Sequence, residues 1–177
     1  HDALPIFDVD DESLAQVGPW PWPRATLAQL ISRLDDAGVA LKLLDVTFPD
    51  QREGSDELSQ ALKGANHECA SPSVLGQVFA LRHESTLQVG SPVGALPGEG
   101  CLGAVVPGQG VIANAAGLHS LAGHISPVID ADGVVRKVPA VVCYAGRNYP
   151  ALAVAGLAAL GGEPPRIEPN PDLRGPA

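Results

Sequence analysis

The sequence predicts a single α/β domain: a mixed β-sheet with a βαβ start, a C-terminal antiparallel hairpin, and helices on both faces. Three observations predict it. Apolar runs at residues 4–10 and 39–46 flank a segment of helical periodicity, and strand, helix, strand in that order makes a right-handed parallel unit. The run at 39–46 is apolar nearly throughout, which suits a sheet covered on both sides. Asp132-Gly133 stands between apolar runs, and Gly supplies the positive φ that a tight hairpin turn needs. At 177 residues the chain can enclose one sizeable core.

In order, residues 4–10 read as a short strand ending in acids, and residues 11–17 as a helical turn stopped by Gly18-Pro19. Trp20-Pro21-Trp22-Pro23 is extended, because a residue before proline is pushed out of the α region, and Pro23 suits the first helical position. A helix follows over 24–37, with Leu27, Leu30, Ile31 and Leu34 on its apolar face and Gly38 at its end. After a polar loop from Pro49 to Gly54, Ser55 is the expected cap of a second helix with Leu58 and Leu62 inward and Gly64 closing it.

Residues 66–70 read as a weak third strand, and 74–81 suit either helix or strand. Residues 91–110, rich in Gly and Pro, read as a long loop. A further helix is expected near 111–117. Beyond the hairpin, residues 140–144 continue as a strand, Ala145-Gly146-Arg147-Asn148 turns, and Tyr149-Pro150 opens an Ala/Leu-rich helix over 151–160. Residues 1–162 are the expected domain. Residues 163–177, polar and Pro-rich, read as a linker toward an expected membrane segment.

Twenty acids against 11 Lys and Arg give a formal net charge of −9, which argues against nucleic acid or an anionic membrane surface as partner. No apolar run reaches the ~18 residues of a membrane span. No secretory leader is visible, and an abrupt start at His1-Asp2-Ala3 is what an excised fragment would show. Cys69, Cys101 and Cys143 match no zinc spacing; buried structural thiols are expected, with one disulfide allowed and an odd thiol left over.

Asp8, Asp10, Asp11 and Glu12 gather at the end of the first predicted strand, and Asp45 ends the second. Neighbouring strand ends form the ligand crevice of an open α/β sheet. Carboxylates there suit a divalent cation or a cationic ligand, although helix and turn capping is their commoner use. The forks of Arg24 and Arg136 suit a carboxylate of a ligand or, more often, an internal pair with Asp10, Asp11 or Asp45. Trp20 and Trp22 wall a pocket or pack beneath the loop. His124 suits a pH- or ligand-responsive role or that of a hydrogen-bonded histidine in the core or at its rim.

Enzyme signatures are thin. Asp8-Val9-Asp10 after a strand resembles the Asp-x-Asp of haloacid-dehalogenase-type phosphatases, but Asp45 stands where a Ser or Thr would grip phosphate. Ser13, Ser120 and Ser126 lack a Gly-x-Ser-x-Gly frame. Gly108-Gln109-Gly110 lacks the third glycine of a dinucleotide loop, and His119 and His124 are misplaced for a zinc pair. Neither a cofactor nor a metal is expected.

An ordered set of short pieces resembles the CHASE2 domain, an extracytoplasmic sensory module of bacterial transmembrane receptors. The pieces are Val9-Asp10-Asp11-Glu12-Ser13-Leu14, Gly18-Pro19-Trp20-Pro21-Trp22-Pro23-Arg24, Leu44-Asp45-Val46-Thr47-Phe48, Gly123-His124, Asp130-Ala131-Asp132-Gly133-Val134-Val135-Arg136-Lys137-Val138-Pro139 and Tyr149-Pro150-Ala151-Leu152-Ala153. The family's apolar third strand is poorly matched at Asn66-His67-Glu68-Cys69-Ala70. The resemblance implies a non-enzymatic periplasmic sensor of a bacterial inner-membrane protein. Membrane helices would join it to a cytoplasmic output such as a nucleotide cyclase, a phosphodiesterase, or a histidine or Ser/Thr kinase. The expected partners are an unidentified small-molecule or ion signal and, in a two-fold receptor, a second copy of the chain. The candidate ligand residues are Asp10, Asp11, Ser13, Trp22, Arg24, Asp45, His124 and Arg136. The competing reading is a ligand-free dimerisation or protein-interaction module.

Overall fold

A computed structural model describes residues 5–65, 70–81, 87–103, 105–118 and 121–162. The expected third strand at 66–70 falls almost wholly outside these residues, as do the linker at 163–177, Cys69, His119 and Ser120.

The main sheet is built around β2 (Ser73–Ala80), the longest strand described. The first half of β2 pairs in parallel with β1 (Lys42–Leu44) and with β6 (Leu121–His124); its second half pairs antiparallel with β5 (Gly110–Ile112). β3 (Gln88–Val89) extends the sheet beyond β5. A smaller sheet holds β4 (Val106–Pro107), β9 (Val141–Tyr144) and β10 (Arg147–Pro150). The hairpin of β7 (Val128–Ile129) and β8 (Val135–Lys137) turns at Asp132-Gly133, where Gly133 adopts φ +81°.

Helices cover both faces of the main sheet. α2 (Arg24–Asp36) and α3 (Ser55–Leu62) pack on each other over a core of Leu27, Ile31, Phe48, Leu58, Leu62, Leu75 and Leu118, with Leu44 of β1 against it. Successive strand residues point to opposite faces. Leu43 therefore faces the other way, where its side chain abuts Gly156 of α4 (Leu152–Gly161). A second core, with Phe79, Val111, Val142 and Tyr149, joins the far end of β2 to the smaller sheet.

The α/β class, the mixed sheet and the C-terminal hairpin are as expected, with several elements redrawn. Residues 5–10 form no strand: they are exposed, with Ile6 at 91% and Phe7 at 66%. An extended apolar run becomes a strand only where a neighbouring backbone meets it. The parallel βαβ unit is instead β1–α3–β2, one step further along the chain. The strand expected over 39–46 narrows to β1. In α2 the inward face is Arg24, Leu27, Ala28, Ile31 and Asp35, while Leu30 is exposed; Pro23 is the residue before the helix. Gly54, not Ser55, precedes α3, and the Ser55 hydroxyl instead accepts from the Arg52 N–H at 3.0 Å.

Residues 74–81 resolve into β2, whose continuous burial suits a central strand. The helix expected near 111–117 is β5 followed by a turn, because the Val111 and Ala113 N–H groups bond across to Leu87 and Val89. The second turn is Ala145-Gly146 alone, and Tyr149-Pro150 belongs to β10. The long loop at 91–110 is pinned by buried amides. Gln77 both donates to the Val93 carbonyl and accepts from its N–H, and Asn148 does the same with Gly100 and Leu102. Cys101 and Cys143 are joined as a disulfide rather than kept as buried thiols.

Candidate functional site

α1 (Asp11–Val17) follows the exposed N-terminal segment and buries none of its residues. Asp10 caps it, accepting from both the N–H and the hydroxyl of Ser13 at 2.9 and 2.6 Å. These bonds, the hydroxyl's first, hold the Asp10 carboxyl below its usual range. Asp10 and Ser13 are thus engaged with each other, and Asp11 is exposed on the helix. With no strand leading into Asp8-Val9-Asp10 among the described residues, the phosphatase-like arrangement is not built. Asp45 lies exposed just beyond β1.

His124 is wholly enclosed, with Phe79 edge-on to its ring. Its Nδ1 accepts from the Ser126 N–H at 3.3 Å, so the neutral ring carries its proton on Nε2. Nε2 has no hydrogen-bond partner among the described residues. Burial pulls the imidazole down to about 4; the Pro139 backbone acts weakly the other way, without completing a hydrogen bond. Arg136 lies exposed on the hairpin, held by both oxygens of Asp132 and by Asp130 at 2.8–2.9 Å. The partner expected for it among Asp10, Asp11 and Asp45 is replaced by local ones, because the hairpin turn folds Asp130 and Asp132 back within reach of the guanidinium.

Trp22 and Arg24 form a more built arrangement. The run expected to be extended instead bends at residues 19–21, where the Trp20–Pro21 bond is cis. The Trp22 indole N–H donates back across the bend to the Gly18 carbonyl at 2.8 Å, and its ring packs on the core under α2. Arg24, the first residue of α2, is only 7% exposed. Its guanidinium carbon lies 4.1 Å from the centre of the Phe48 ring, a cation–π contact. Nη2 is 3.6 Å from Asp50, beyond hydrogen-bond reach, and Nε is buried with no partner among the described residues. Arg24 therefore turns to Asp50, not to Asp10, Asp11 or Asp45. Asp50 in turn is bonded by the Arg52 Nε, the main reason its carboxyl sits low. Burial lowers Arg24; Asp50 opposes that and Arg52 adds to it.

The loop carrying Asp50 and Arg52 is pressed against α2 at Gly54. A Cβ there would lie 2.9 Å from the Ala25 nitrogen and 3.0 Å from the Arg24 Cβ. Gly54 also adopts φ +79°, which favours glycine on its own account. By sequence Asp50 and Arg52 belong to a plain polar loop; the signal that marks them is an Asp-x-Arg pair just ahead of a helix. An open groove of about 450 Å³ runs between α2 and α3 from Ala25 past Gln29 and Arg33. Among the described residues no group of three or more His, Cys, Asp or Glu is placed to hold a metal.

Helices on both faces of a mixed sheet define an α/β domain, a class that does not by itself fix a function. The CHASE2 domain family model matches residues 2–173, and the chain belongs to that family, whose members are extracellular sensory domains. No curated protein and no solved structure matches the chain. No helix among the described residues is long and apolar enough to cross a membrane.

Proposed function

We propose that this chain is the extracytoplasmic ligand-sensing domain of a membrane-bound bacterial signalling receptor, and that it catalyses no reaction itself. The match to the CHASE2 family over residues 2–173 carries this reading. The Cys101–Cys143 disulfide supports an oxidising compartment, since such bonds are rare where thiols are kept reduced. In this reading a small molecule or ion binds near Trp22 and Arg24 and shifts the balance between two arrangements of the chain ends. It must bind the two states with different affinity to signal at all. Membrane helices on either side would pass the change to a cytoplasmic cyclase, phosphodiesterase or kinase.

A second reading is supported by exposed apolar side chains at Ile6, Phe7, Leu157 and Leu160: the domain assembles receptors rather than binding a small ligand. Thermal denaturation against metals, amino acids and organic acids separates the two. A sensor's melting temperature rises with one ligand class at fixed protein concentration, by mass action. An assembly module responds to its own concentration alone.

A further inference from the structure

We propose that Arg24 and Arg52 form a carboxylate-binding site in which Asp50 occupies the ligand's place, so that a small organic acid binds by displacing Asp50 and releasing the loop from Pro49 to Gly54. This inference deepens the sensory reading above and rests on it.

Arg24 stands in an electrostatically unfavourable place. A helix N-terminus carries partial positive charge and ordinarily has an acid in its first turn or a side-chain cap. α2 has neither: Pro23 supplies no cap, no acid stands in the first turn, and a cation, Arg24, occupies the first position. That cation is also removed from water, which costs further unless a charge partner answers it. The answer in this structure is incomplete. Among the described residues Nε has no partner, and the one acid facing the guanidinium stands 3.6 Å away. Departures of this kind from local electrostatic sense gather at functional sites.

The arrangement points to a carboxylate. Phe48 lies against the guanidinium, its ring centre 4.1 Å from Cζ, and a planar fork so placed matches a carboxylate's two oxygens. Arg52 is half exposed and already grips one Asp50 oxygen, so a second cation is at hand on the solvent side. The α3 N-terminus is brought beside that of α2 by the contact at Gly54, though Asp56 and Glu57 in its own first turn temper its field. Asp50 is an internal carboxylate on a loop, and an external one competes with it directly. Displacement frees the Asp50–Arg52 bond and loosens the segment that leads into α3, which couples occupancy to the packing of α2 on α3.

The test uses the purified chain with succinate, read by melting temperature against sodium chloride at matched ionic strength and against inorganic phosphate. Succinate at about a hundred times its Kd is expected to raise the midpoint by roughly 5 °C. Arg24→Lys keeps charge but loses the fork, and should weaken binding about tenfold or more. Should that variant fail to fold, Arg52→Gln, at an exposed position, should also weaken binding. Asp50→Asn removes the internal competitor and should tighten binding several-fold. A succinate response equal to that of sodium chloride, or a response to phosphate alone, would overturn the proposal. So would Asp50→Asn binding no more tightly than the parent chain. A response to an amine, a sugar or a metal ion but to no carboxylate would sink this inference and leave the sensory reading standing.

Discussion

Lys42 and Asp35 form an ion pair inside the protein, their side chains only 2% and 1% exposed. Lys42 stands on β1 and Asp35 near the end of α2, and the same carboxylate oxygen accepts from the N–H and hydroxyl of Ser71 just ahead of β2. One buried carboxylate therefore ties a helix to the start of the parallel sheet.

Removing one partner strands the other. Lys42→Met should destabilise the fold by about 3–5 kcal/mol, and pairing it with Asp35→Leu should recover much of the loss. Urea denaturation of the three proteins checks this. Burial alone would raise the Asp35 carboxyl, but the bonds from Lys42 and Ser71 outweigh it and hold it below its ordinary 3.8. A depressed carboxyl adds stability above 3.8 that is lost as the pH falls through the folded value. The tie should therefore fail only in strong acid.

His124 acts in a milder window. Its folded value of about 4 lies below the ordinary 6.5, so between those values the unfolded chain binds the extra proton and stability falls as pH falls. The loss should approach, at most, about 3 kcal/mol. His124→Gln should flatten denaturation midpoints across this range, and an unchanged slope would show the ring to be accessible to protons in the folded state.

The Cys101–Cys143 bond closes a span of 42 residues that includes the second half of the Gly/Pro-rich loop and both strands of the hairpin. On the chain-entropy account its loss should cost roughly 4 kcal/mol. Melting with and without dithiothreitol tests the size. Alkylation under denaturing conditions tests the pairing: one of the three cysteines should label before reduction and all of them after.

Gly123 lets β6 lie directly on the start of α4. A Cβ at this position would fall 2.5 Å from the Leu152 Cα and 2.8 Å from its nitrogen, both backbone atoms that cannot swing aside. Gly123→Ala should cost about 1–3 kcal/mol or more, seen as a lower denaturant midpoint with an unchanged slope.

Local signals read well where they act locally. Pro23 and Gly38 bracket α2, Gly18 stops α1, and Asp132-Gly133 makes its hairpin, because each constrains its own backbone whatever lies around it. The site residues were legible as types and not as partners. Arg24 was recognisable as a fork in search of a carboxylate. That the carboxylate is Asp50 follows from the packing of the α3 loop on α2, 26 positions away in sequence.

The chain order and spacing of its amino acids determined the α/β class, the principal helices, the acidic surface and the family likeness, all of which depend on near neighbours or on composition. Tertiary structure alone decided which apolar runs became strands, and so left residues 5–10 unpaired while residues 110–112 joined the sheet. It also chose the pairing of Cys101 with Cys143 and the burial of Lys42 against Asp35. The reason is common to these cases: a strand, a disulfide and a buried ion pair each need a second group supplied by a distant part of the chain, and only the folded arrangement says which one arrives.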